Sequence, residues 1–360
     1  MGTIKRGFAN NILTTGKFDA TDLSGTIPST NVANTTLSSI TSVPASVGDL
    51  VQSVAADPSP VSAGDVWYNS TSGTFKSVVL GVSAWASGGN MTTGRRLLAG
   101  AGTQTEALAF GGYVTGAVTT TEEYNGTSWG PGGNLINARY EWSGNGTQTA
   151  ALGAGGYKPG TGNTNLTEEY DGSSWTAGGT LTTARRFTAS AGTQTAGLLI
   201  GGTEPPSKNL TEEYDGSAWA AGGNLGLGRQ QSAAAGIQTA GLVFGGYTPP
   251  TIVTTTTEEY DGSTWTAGGN LNRAASTLAG CGTQTEALAF GGYESPQSGT
   301  EQYNGSVWTN VASMATGRQE LAGAGTTAAG LAFGGNPPPS FNLTEEFTGA
   351  ALATKTVTTS

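Results

Sequence analysis

The sequence contains no histidine at all, and this absence narrows the chemistry that the chain can carry out. Histidine is the commonest general base in enzymes and the commonest protein ligand of transition metals. Without it, a Ser-His-Asp triad, a Cys-His pair and a histidine-containing zinc site are all excluded. We therefore expect a protein that is not an enzyme and that holds no metal or cofactor.

Cysteine, charge and long apolar runs are also scarce. A single cysteine excludes an internal disulfide framework. Only 11% of the residues are charged, and the net charge of −10 disfavours nucleic acid as a partner, because phosphate binding needs a basic surface. No run of about 18 apolar residues is present, so no membrane insertion is expected. The first residues lack the apolar stretch of a secretory signal, so we expect folding without secretion.

What the sequence has in abundance is a repeated nine-residue motif. Residues 167–175 read TEEYDGSSW, and a worn copy, TEEFTG, stands at 344–349. The other copies lie at 121–129, 211–219, 257–265 and 300–308. Six tryptophans mark the series with spacings of 44, 46, 44, 46 and 43 residues, which is the signature of a repeat architecture. They are Trp85, Trp129, Trp175, Trp219, Trp265 and Trp308.

Each repeat contains the same succession of short β-strand patterns. In the first repeat a small-residue strand at 97–101 and an apolar strand at 107–110 precede a Gly-Gly doublet. A variable loop then leads to the Thr-Glu-Glu-Tyr strand, an Asn-Gly or Asp-Gly turn and a tryptophan. No segment has a sustained period of 3.6 residues, so the prediction is an all-β fold with three to four strands per repeat. The variable loops are residues 114–120, 158–166, 204–210, 248–256, 294–299 and 337–343.

These markers, with an arginine after the tryptophan-linked loop, resemble the kelch repeat over residues 85–350. The resemblance implies a six-bladed β-propeller whose blades are four-stranded antiparallel sheets. Variation at one point of each repeat would then map to one face of the ring, often the binding face. In the fifth repeat Ala275 replaces the arginine, and Arg273 stands two residues earlier. The repeated arginines are Arg95, Arg139, Arg185, Arg229 and Arg318.

The strand count leaves ring closure open. Residues 75–80 and 344–347 both look like the last strand of a blade, which gives seven candidates for six places. The N-terminal strand either belongs to a separate hairpin or pairs with the final repeat to close the ring. Closure matters because an unpaired outer strand edge invites aggregation.

The repeated side chains are interpreted first as structural. The tryptophans would pack blade against blade, with sugar stacking as the functional alternative. The first glutamate of each motif shares a face with the aromatic residue, so the repeated arginine would pair with it, giving a ring of bidentate pairs. The kelch resemblance offers a second role, in which the arginines line the channel mouth and bind an acidic ligand. The glutamates are Glu122, Glu168, Glu212, Glu258, Glu301 and Glu345.

The sequence before the repeats divides into three segments. Residues 1–43 are polar and turn-rich, and we interpret them as an attachment segment that needs a partner surface to become ordered. Residues 44–63 contain prolines and are predicted to be a linker. Residues 64–84 form a predicted β-hairpin, which resembles a module that precedes the C-terminal domains of many phage fibre proteins. Residues 85–360 are assigned to the propeller.

Together these parts resemble fibre or decoration proteins of marine tailed bacteriophages. The resemblance implies a non-enzymatic protein at the virion surface that adheres to host or environmental polysaccharide through its variable loops. Residues 1–60 would dock on a capsid or tail protein, and a homotrimer is plausible although no heptad pattern supports one. Two alternatives remain close to this reading: a purely structural capsid decoration without a ligand, and a kelch scaffold that binds a protein.

A carbohydrate-active enzyme is the least favoured class. The Tyr-Asp-Gly-Ser-Ser-Trp turn resembles the aspartate box of sialidases, but that box is itself a turn-forming element. A sialidase would need one asymmetric cluster of arginines, a tyrosine and acids, which near-identical repeats do not display. Galactose-oxidase-type chemistry is excluded because it needs histidine ligands to copper. Cys281 stands where other repeats have alanine and is interpreted as a small core residue.

Overall fold

The computed structural model describes residues 52–62, 64–204, 208–250, 252–336 and 342–357. Within them the chain has 32 β-strands, numbered here in chain order, and no α-helix. The chain divides into two compact units. Among the described residues, one unit lies within residues 83–349, and the other joins residues 52–82 to residues 350–357. The predicted attachment segment, residues 1–43, lies outside the described residues.

The smaller unit is a four-stranded sheet with the order β1–β2–β3–β32. Its strands are β1 (Gln52–Val54), β2 (Val66–Asn69), β3 (Thr74–Leu80) and β32 (Leu352–Val357). Strands β2 and β3 form an antiparallel hairpin, and β1 pairs in parallel with β2. Asp57 ties the sheet together by accepting hydrogen bonds from Trp67, Asn69 and Lys76 at 2.7–3.1 Å.

Two boundaries drawn from the sequence differ from the structure. Part of the segment predicted to be a linker, residues 44–63, is the parallel strand β1. The end of the chain, assigned to the propeller as part of 85–360, instead forms β32, which pairs with β3 from Phe75 to Leu80. The physical reason is that β32 covers the free edge of the β2–β3 hairpin, which would otherwise expose unpaired backbone groups.

The larger unit consists of six four-stranded antiparallel sheets, here called blades I to VI. Blade I is β5 (Ala99–Gly102), β6 (Ala107–Phe110), β7 (Thr121–Tyr124) and β8 (Trp129–Pro131); blade II is β9 (Ser143–Thr147), β10 (Ala150–Ala154), β13 (Thr167–Tyr170) and β14 (Trp175–Ala177). Blade III is β15 (Ala189–Gly192), β16 (Gly197–Ile200), β17 (Thr211–Tyr214) and β18 (Trp219–Ala221); blade IV is β19 (Ala233–Ile237), β20 (Ala240–Phe244), β23 (Thr257–Tyr260) and β24 (Trp265–Ala267).

The last two blades follow the same plan. Blade V is β25 (Ala279–Gly282), β26 (Ala287–Phe290), β27 (Thr300–Tyr303) and β28 (Trp308–Asn310); blade VI is β29 (Ala322–Gly325), β30 (Ala329–Phe333), β31 (Thr344–Thr348) and β4 (Ala84–Ser87). Two short hairpins extend from blades II and IV: β11 (Tyr157–Lys158) with β12 (Gly162–Asn163), and β21 (Tyr247–Thr248) with β22 (Ile252–Val253).

Blade VI closes the ring with strands from both ends of the larger unit. Strand β4 pairs antiparallel with β31, which places Trp85 opposite Phe347. The first strands of neighbouring blades contact one another around the whole ring, including β29 with β5. Residues 75–80, the other closing candidate, belong instead to the sheet of the smaller unit. Each repeated tryptophan therefore lies on the outermost strand of a blade. Trp85, the first of them in the sequence, lies on the outermost strand of blade VI.

The tryptophans join each blade to the one before it. In all six cases the indole N–H donates to the hydroxyl of the threonine that begins the Thr-Glu-Glu-Tyr strand of the preceding blade, at 2.9–3.1 Å. Four of the rings are 4–7% exposed, so the bond is made in a water-poor interface. The structural interpretation of the tryptophans is therefore the one that the geometry supports. The pairs are Trp85–Thr300, Trp129–Thr344, Trp175–Thr121, Trp219–Thr167, Trp265–Thr211 and Trp308–Thr257.

A second link uses the tyrosine and the second glutamate of the motif. The Tyr170 hydroxyl donates to Glu123 of the preceding blade at 2.6 Å and accepts the N–H of Gly133 at 3.2 Å. Burial, reinforced by the carboxylate, raises the pKa of this tyrosine to about 12. Five of the six blade junctions contain the same arrangement. Its other pairs are Tyr124–Glu346, Tyr214–Glu169, Tyr260–Glu213 and Tyr303–Glu259.

A third link is a glutamine clamp between the same blades. In blade II, Gln148 donates from one amide nitrogen to the carbonyl oxygens of Ala107 and Tyr124, at 3.0 and 2.7 Å, on the two middle strands of blade I. Blades I, III, IV and V repeat the contact through Gln104, Gln194, Gln238 and Gln284. In blade VI the corresponding residue is Thr327.

The junction between blades V and VI departs from this pattern. Gln302 replaces the second glutamate and Phe347 replaces the tyrosine, so this junction lacks both the carboxylate acceptor and the hydroxyl donor of the second link. Val311 stands where the other junctions have glycine, and it packs with Phe347. Elsewhere a Cβ at this glycine would lie about 3 Å from the tyrosine hydroxyl, as at Gly132. The three changes therefore convert a polar junction into an apolar one.

Candidate ligand-binding face

The repeated arginines are fully buried and each pairs with the first glutamate of its own blade. In blade II, Nη2 of Arg139 lies 3.1 Å from Oε1 of Glu168, and both side chains are at most 1% exposed. Nη1 of the same arginine donates to the carbonyl oxygens of Gly155 and Leu166. Burial lowers the pKa of Arg139 to about 10, while Glu168 opposes the change, so the guanidinium stays charged at neutral pH. The other pairs are Arg95–Glu122, Arg185–Glu212, Arg229–Glu258 and Arg318–Glu345.

The pairing predicted from the sequence holds, but its geometry differs from the bidentate arrangement that was expected. Oε2 of Glu168 accepts the backbone N–H of Ile136 at 2.8 Å, and Oε1 also accepts that of Asn137 at 3.2 Å. The carboxylate therefore divides its lone pairs between the guanidinium and the loop that enters the blade. A buried ion pair needs such additional hydrogen bonds to offset its desolvation.

In the fifth repeat the buried glutamate is hydrogen-bonded without an arginine. Glu301 accepts the backbone N–H groups of Asn272 and Arg273 and the side-chain amide of Asn272, at 2.7–3.1 Å. The guanidinium of Arg273 turns away and donates to the carbonyl oxygens of Gly291 and Glu294. Ala275, at the vacated arginine position, is buried.

Burial also argues against the second role considered for the arginines, the binding of an acidic ligand at the channel mouth. With side chains 0% exposed and their charge matched by glutamate, they have no open surface toward a ligand. They hold the loops of the blades in place, and the structure does not support ligand binding by these five residues. A candidate ligand site has to be sought on the surface that those loops form.

That surface is set by the antiparallel order of the strands. The turns between the first and second strands lie at one end of every blade, as at 103–106. In blades I to V the turns between the third and fourth strands, as at 125–128, lie at the same end. The loop between the second and third strands lies at the other end, together with the connection into the next blade. The described parts of the six variable loops therefore belong to one face of the propeller, here called the loop face.

At the centre of the loop face six non-glycine residues adopt left-handed backbone conformations, one per repeat, with φ between 51° and 59°. Each donates its N–H to the carbonyl oxygen of the previous one at 2.7–3.1 Å, so the six bonds form a closed ring. Left-handed conformations are uncommon for residues other than glycine, and they concentrate at functional sites. The strand predicted at 97–101 begins only at Ala99 for this reason. The six are Leu97, Glu141, Phe187, Gln231, Thr277 and Glu320.

The ring surrounds a small cavity lined by these six residues and by the residue that follows each of them. Its volume of about 80 Å³ is small beside the roughly 300–1,000 Å³ of pockets that enclose drug-sized ligands. A ligand of that size would therefore lie on the loop face around the cavity.

A row of aromatic and basic side chains lies on the loop face over blades I to III. The guanidinium carbon of Arg96 lies 5.3 Å from the ring centre of Tyr113, and Tyr113 contacts Tyr140 edge-on at 5.3 Å. Tyr140 in turn packs at 5.2 Å against Tyr157, and the guanidinium carbon of Arg186 lies 5.0 Å from the Tyr157 ring. These five residues, here called the tyrosine row, are all partly exposed.

The charges at the two ends of the tyrosine row are already matched. Arg96 pairs with Glu320 at 2.7 Å, and Arg186 pairs with Glu141 at 2.8 Å. Both glutamates belong to the central ring of left-handed residues. Burial raises the pKa of Glu141, and the paired arginine opposes that rise. The row therefore presents three aromatic rings between two neutralised guanidinium groups.

The sixfold pattern is broken on this face. The positions equivalent to Arg96, Tyr140 and Arg186 are occupied in the other three repeats by Gln230, Ser276 and Gln319. Blades IV and V contribute Tyr247 and Tyr293 to the loop face, but the Tyr247 hydroxyl donates to the carbonyl oxygen of Pro250, and Tyr293 stands apart with 63% of its surface exposed. The aromatic cluster is thus confined to one half of the face.

Sequence analysis did not find the tyrosine row, because its members lie next to repeat markers and in different repeats. Its members stand beside conserved-looking repeat markers: Tyr113 and Tyr157 follow Gly-Gly doublets, while Arg96 and Arg186 follow the buried arginines. Aligning the six repeats and asking which columns vary would have found Tyr140, which stands where two other repeats have arginine. The row also supplies the asymmetric group of arginines, tyrosines and acids that near-identical repeats were predicted to lack.

Other kinds of site are not found in the part of the chain that the structure describes. No cluster of three histidine, cysteine or acidic side chains that could hold a metal ion occurs among the described residues. In the same residues no helix is long and apolar enough to cross a membrane. Cys281 is buried among the core residues of blades V and VI, and burial raises the pKa of its thiol to about 12.

Comparison with known proteins bears on the fold alone. No family model matches the sequence. No curated protein matches it either. The structure is similar to the solved structure of YjhT, a kelch-like β-propeller, with a TM-score of 0.59 and 10% sequence identity over 75% of this chain and 99% of that one. The chain is therefore an all-β protein whose repeated four-stranded antiparallel sheets form a β-propeller.

Proposed function

We propose that this chain is a non-enzymatic bacteriophage virion protein, a fibre or a capsid decoration, that displays its propeller for adhesion to host or environmental glycans. The virion assignment comes from the resemblance of the N-terminal segment, the hairpin and the repeats to phage fibre and decoration proteins. The adhesion assignment comes from the contrast between the two parts of each repeat. The buried links between blades are nearly invariant, whereas the loop face varies from blade to blade.

The observation that carries adhesion is the tyrosine row. Tyrosine supplies a large rigid contact area together with a polar tip, so it is well suited to a wet, polar binding surface. The three hydroxyls of Tyr113, Tyr140 and Tyr157 make no hydrogen bond to any described residue, whereas the five junction tyrosines are all satisfied internally. Binding by many such weak contacts becomes strong when several copies act together on one particle.

The absence of catalysis in this proposal is supported by the state of the acidic groups. Glu141 and Glu320 each form an ion pair with an arginine of the tyrosine row, and the glutamates of the blades are buried in structural pairs. Most hydrolases acting on glycans need a pair of carboxyl groups free to donate and accept protons on either side of a substrate. The central cavity is also small beside the pockets that enclose drug-sized ligands.

Particles with and without the chain test this function. Phage carrying a deletion of residues 83–349 should assemble and should adsorb to their host or to environmental polysaccharide several-fold more slowly than the parent. Adding the purified full chain to the parent should slow adsorption by competition. Equal adsorption with and without the propeller would contradict adhesion and would leave a purely structural decoration. Soluble full chain that captures a protein and no polysaccharide would favour a kelch scaffold instead.

A further inference from the structure

We infer that the ligand lies along the tyrosine row over blades I to III and that it is a neutral, hydroxyl-rich oligosaccharide rather than an acidic one. This inference rests on the proposed adhesive function and adds to it the position of the site and the chemical class of the ligand. Three observations carry it: the shape of the aromatic surface, the free hydroxyls and the balance of charge.

The shape of the surface fits an extended chain of sugar rings. Tyr113, Tyr140 and Tyr157 follow one another at 5.2–5.3 Å between ring centres, and the neighbouring planes are tilted by 71° and 45°. The rings therefore form a stepped surface instead of one flat platform. The apolar C–H faces of successive sugars can each contact one ring on such a surface, because aromatic faces attract weakly positive hydrogens.

The free hydroxyls provide the polar part of recognition. Tyr140 lies at the centre of the row and contacts both of the other rings, so its hydroxyl is placed to bond the same ligand that contacts its neighbours. A hydroxyl can donate and accept, which matches the hydroxyl groups of a saccharide. No described residue competes for these three tyrosine hydroxyls.

The balance of charge selects against an acidic ligand. Both guanidinium groups of the row are already hydrogen-bonded to carboxylates, Arg96 to Glu320 at 2.7 Å and Arg186 to Glu141 at 2.8 Å. A carboxylated or sulfated sugar would have to displace one of these glutamates and then lie close to its charge. The net charge of −10 adds a further repulsion over the whole chain. A neutral saccharide does not need to displace a glutamate, and the net negative charge of the chain does not repel it.

The test compares variants of the full chain on two sets of probes: neutral hexose and N-acetylhexosamine oligosaccharides, and uronate-containing or sulfated polysaccharides. The wild-type chain should bind a neutral probe with little dependence on salt. Tyr140→Ala should weaken that binding about tenfold or more, which corresponds to the loss of one stacked ring and its hydroxyl. Tyr140→Phe, which keeps the ring, should weaken it less. Tyr293→Ala, which removes a tyrosine elsewhere on the loop face, is the matched control and should bind like wild type.

The outcomes separate this inference from the function beneath it. Binding of neutral probes that Tyr140→Ala and Tyr157→Ala leave unchanged would overturn the site, while adhesion would stand. Preferential binding of acidic probes with a steep dependence on salt would overturn the ligand class. No binding to any probe would contradict both the inference and glycan adhesion. Each variant is first compared with wild type in thermal unfolding, so that a folding defect in one of the two tyrosine variants leaves the other to decide.

Discussion

The first glutamate of each repeated motif forms the buried ion pair and also holds the loop that enters the blade. Glu168 accepts from Arg139, Ile136 and Asn137, so it links the third strand of blade II to the loop that enters that blade. Removing it leaves a buried guanidinium without its counter-charge and two backbone donors without an acceptor. Loss of one partner of a buried pair is much more costly than loss of a surface pair.

We therefore expect Glu168→Ala to lower the free energy of unfolding by about 3–5 kcal/mol, because a charge is left unpaired in the protein interior. Denaturation in urea, followed by tryptophan fluorescence, measures the change. Glu106→Ala is the matched control, since Glu106 is exposed and forms no ion pair among the described residues, and it should change little. If both variants lost the same small amount, the pair would not be a structural element.

The junction tyrosines make stability depend on pH at the alkaline end. The pKa of Tyr170 is raised from 10.0 to about 12, mainly by burial and then by its hydrogen bond to Glu123. A group whose pKa is higher in the folded state contributes stability that is complete below its unfolded pKa and is lost as the pH rises toward the folded value. The contribution of Tyr170 should therefore be present in full below pH 10.0 and disappear toward about pH 12.

Tyr170→Phe tests this because it removes the hydroxyl and keeps the ring. The variant should be less stable than wild type by about 1.5–3 kcal/mol at neutral pH, the range for a hydrogen bond to a charged group. The difference between the two proteins should shrink as the pH approaches 12. The comparison is made by urea denaturation at several pH values. A difference that is constant or grows with pH would show that the hydroxyl does not titrate in this environment.

At the scale of the elements, each blade junction is built from one of two sets of three residues. Five junctions use tyrosine, glutamate and glycine, and the junction between blades V and VI uses Phe347, Gln302 and Val311. The three positions are far apart in sequence but meet in one interface. The apolar version fits because Val311 fills the space next to a ring that has no hydroxyl.

Phe347→Tyr should therefore destabilise the chain, although it restores the residue found in the other five repeats. The new hydroxyl would meet Val311 and would find Gln302 in place of a carboxylate. The amide oxygen of Gln302 can accept from the hydroxyl, so the cost comes from crowding, and overpacking of this kind costs about 1–3 kcal/mol. Thermal or urea unfolding of the single variant measures this cost.

The compensating changes provide the control for that prediction. Adding Val311→Gly and Gln302→Glu to Phe347→Tyr recreates the polar junction. The triple variant should be more stable than the separate effects predict, with a coupling energy of about 1 kcal/mol or more. Strictly additive effects would contradict the view that the three residues act as one set.

The sequence predicted much of this architecture and little of the binding surface. The tryptophan period and the Thr-Glu-Glu-Tyr strands carry a repeated pattern, so the all-β repeat architecture and the Arg–Glu pairs could be inferred from spacing and alternation. The propeller itself was implied by the kelch resemblance. The left-handed residues could not be inferred, because Phe187 and Thr277 have nothing in common except their place in the ring. The tyrosine row could not either, because it joins residues from three repeats through space.

A compensation in blade II shows the same limit. Gly153 stands where the other repeats have alanine, leucine or valine on the second strand, such as Ala109. Trp142, from the preceding loop, fills that space, because a Cβ at Gly153 would lie 2.5 Å from its ring. The same ring packs edge-on against Phe110 with 5.0 Å between ring centres. It also lies over the guanidinium of Arg139 at 4.2 Å. A reading of single motifs misses such a change, since the missing volume and its replacement lie in different segments.

At the scale of the whole molecule, the ring is closed without a covalent link. Strand β4 and strand β31 come from opposite ends of the larger unit and are held by their ladder, by the Trp85–Thr300 hydrogen bond and by the contacts of Trp85 with Phe290 and Phe347. Without β4 the outer edge of β31 would be unpaired. Trp85 therefore has a role in closure that the other tryptophans do not share.

Trp85→Ala should cost about 3–5 kcal/mol through lost packing. Trp175→Ala should cost a similar amount, because it removes the same contacts inside a blade whose strands are continuous in sequence. The two should differ in hydrogen exchange: Trp85→Ala should expose the amides of β4 and β31 to rapid exchange by local opening. Equal protection of these strands in both variants would show that closure does not depend on Trp85.

The central proposal is that this propeller stands at the surface of a virion. Electron microscopy of intact particles labelled with antibody against residues 83–349 tests it most directly. The account predicts label at the particle surface, and its position would assign the chain to the head or to the tail. Particles from a lysate that contains the chain but carry no label would contradict the virion assignment, and a kelch scaffold that binds a protein would then become the better explanation.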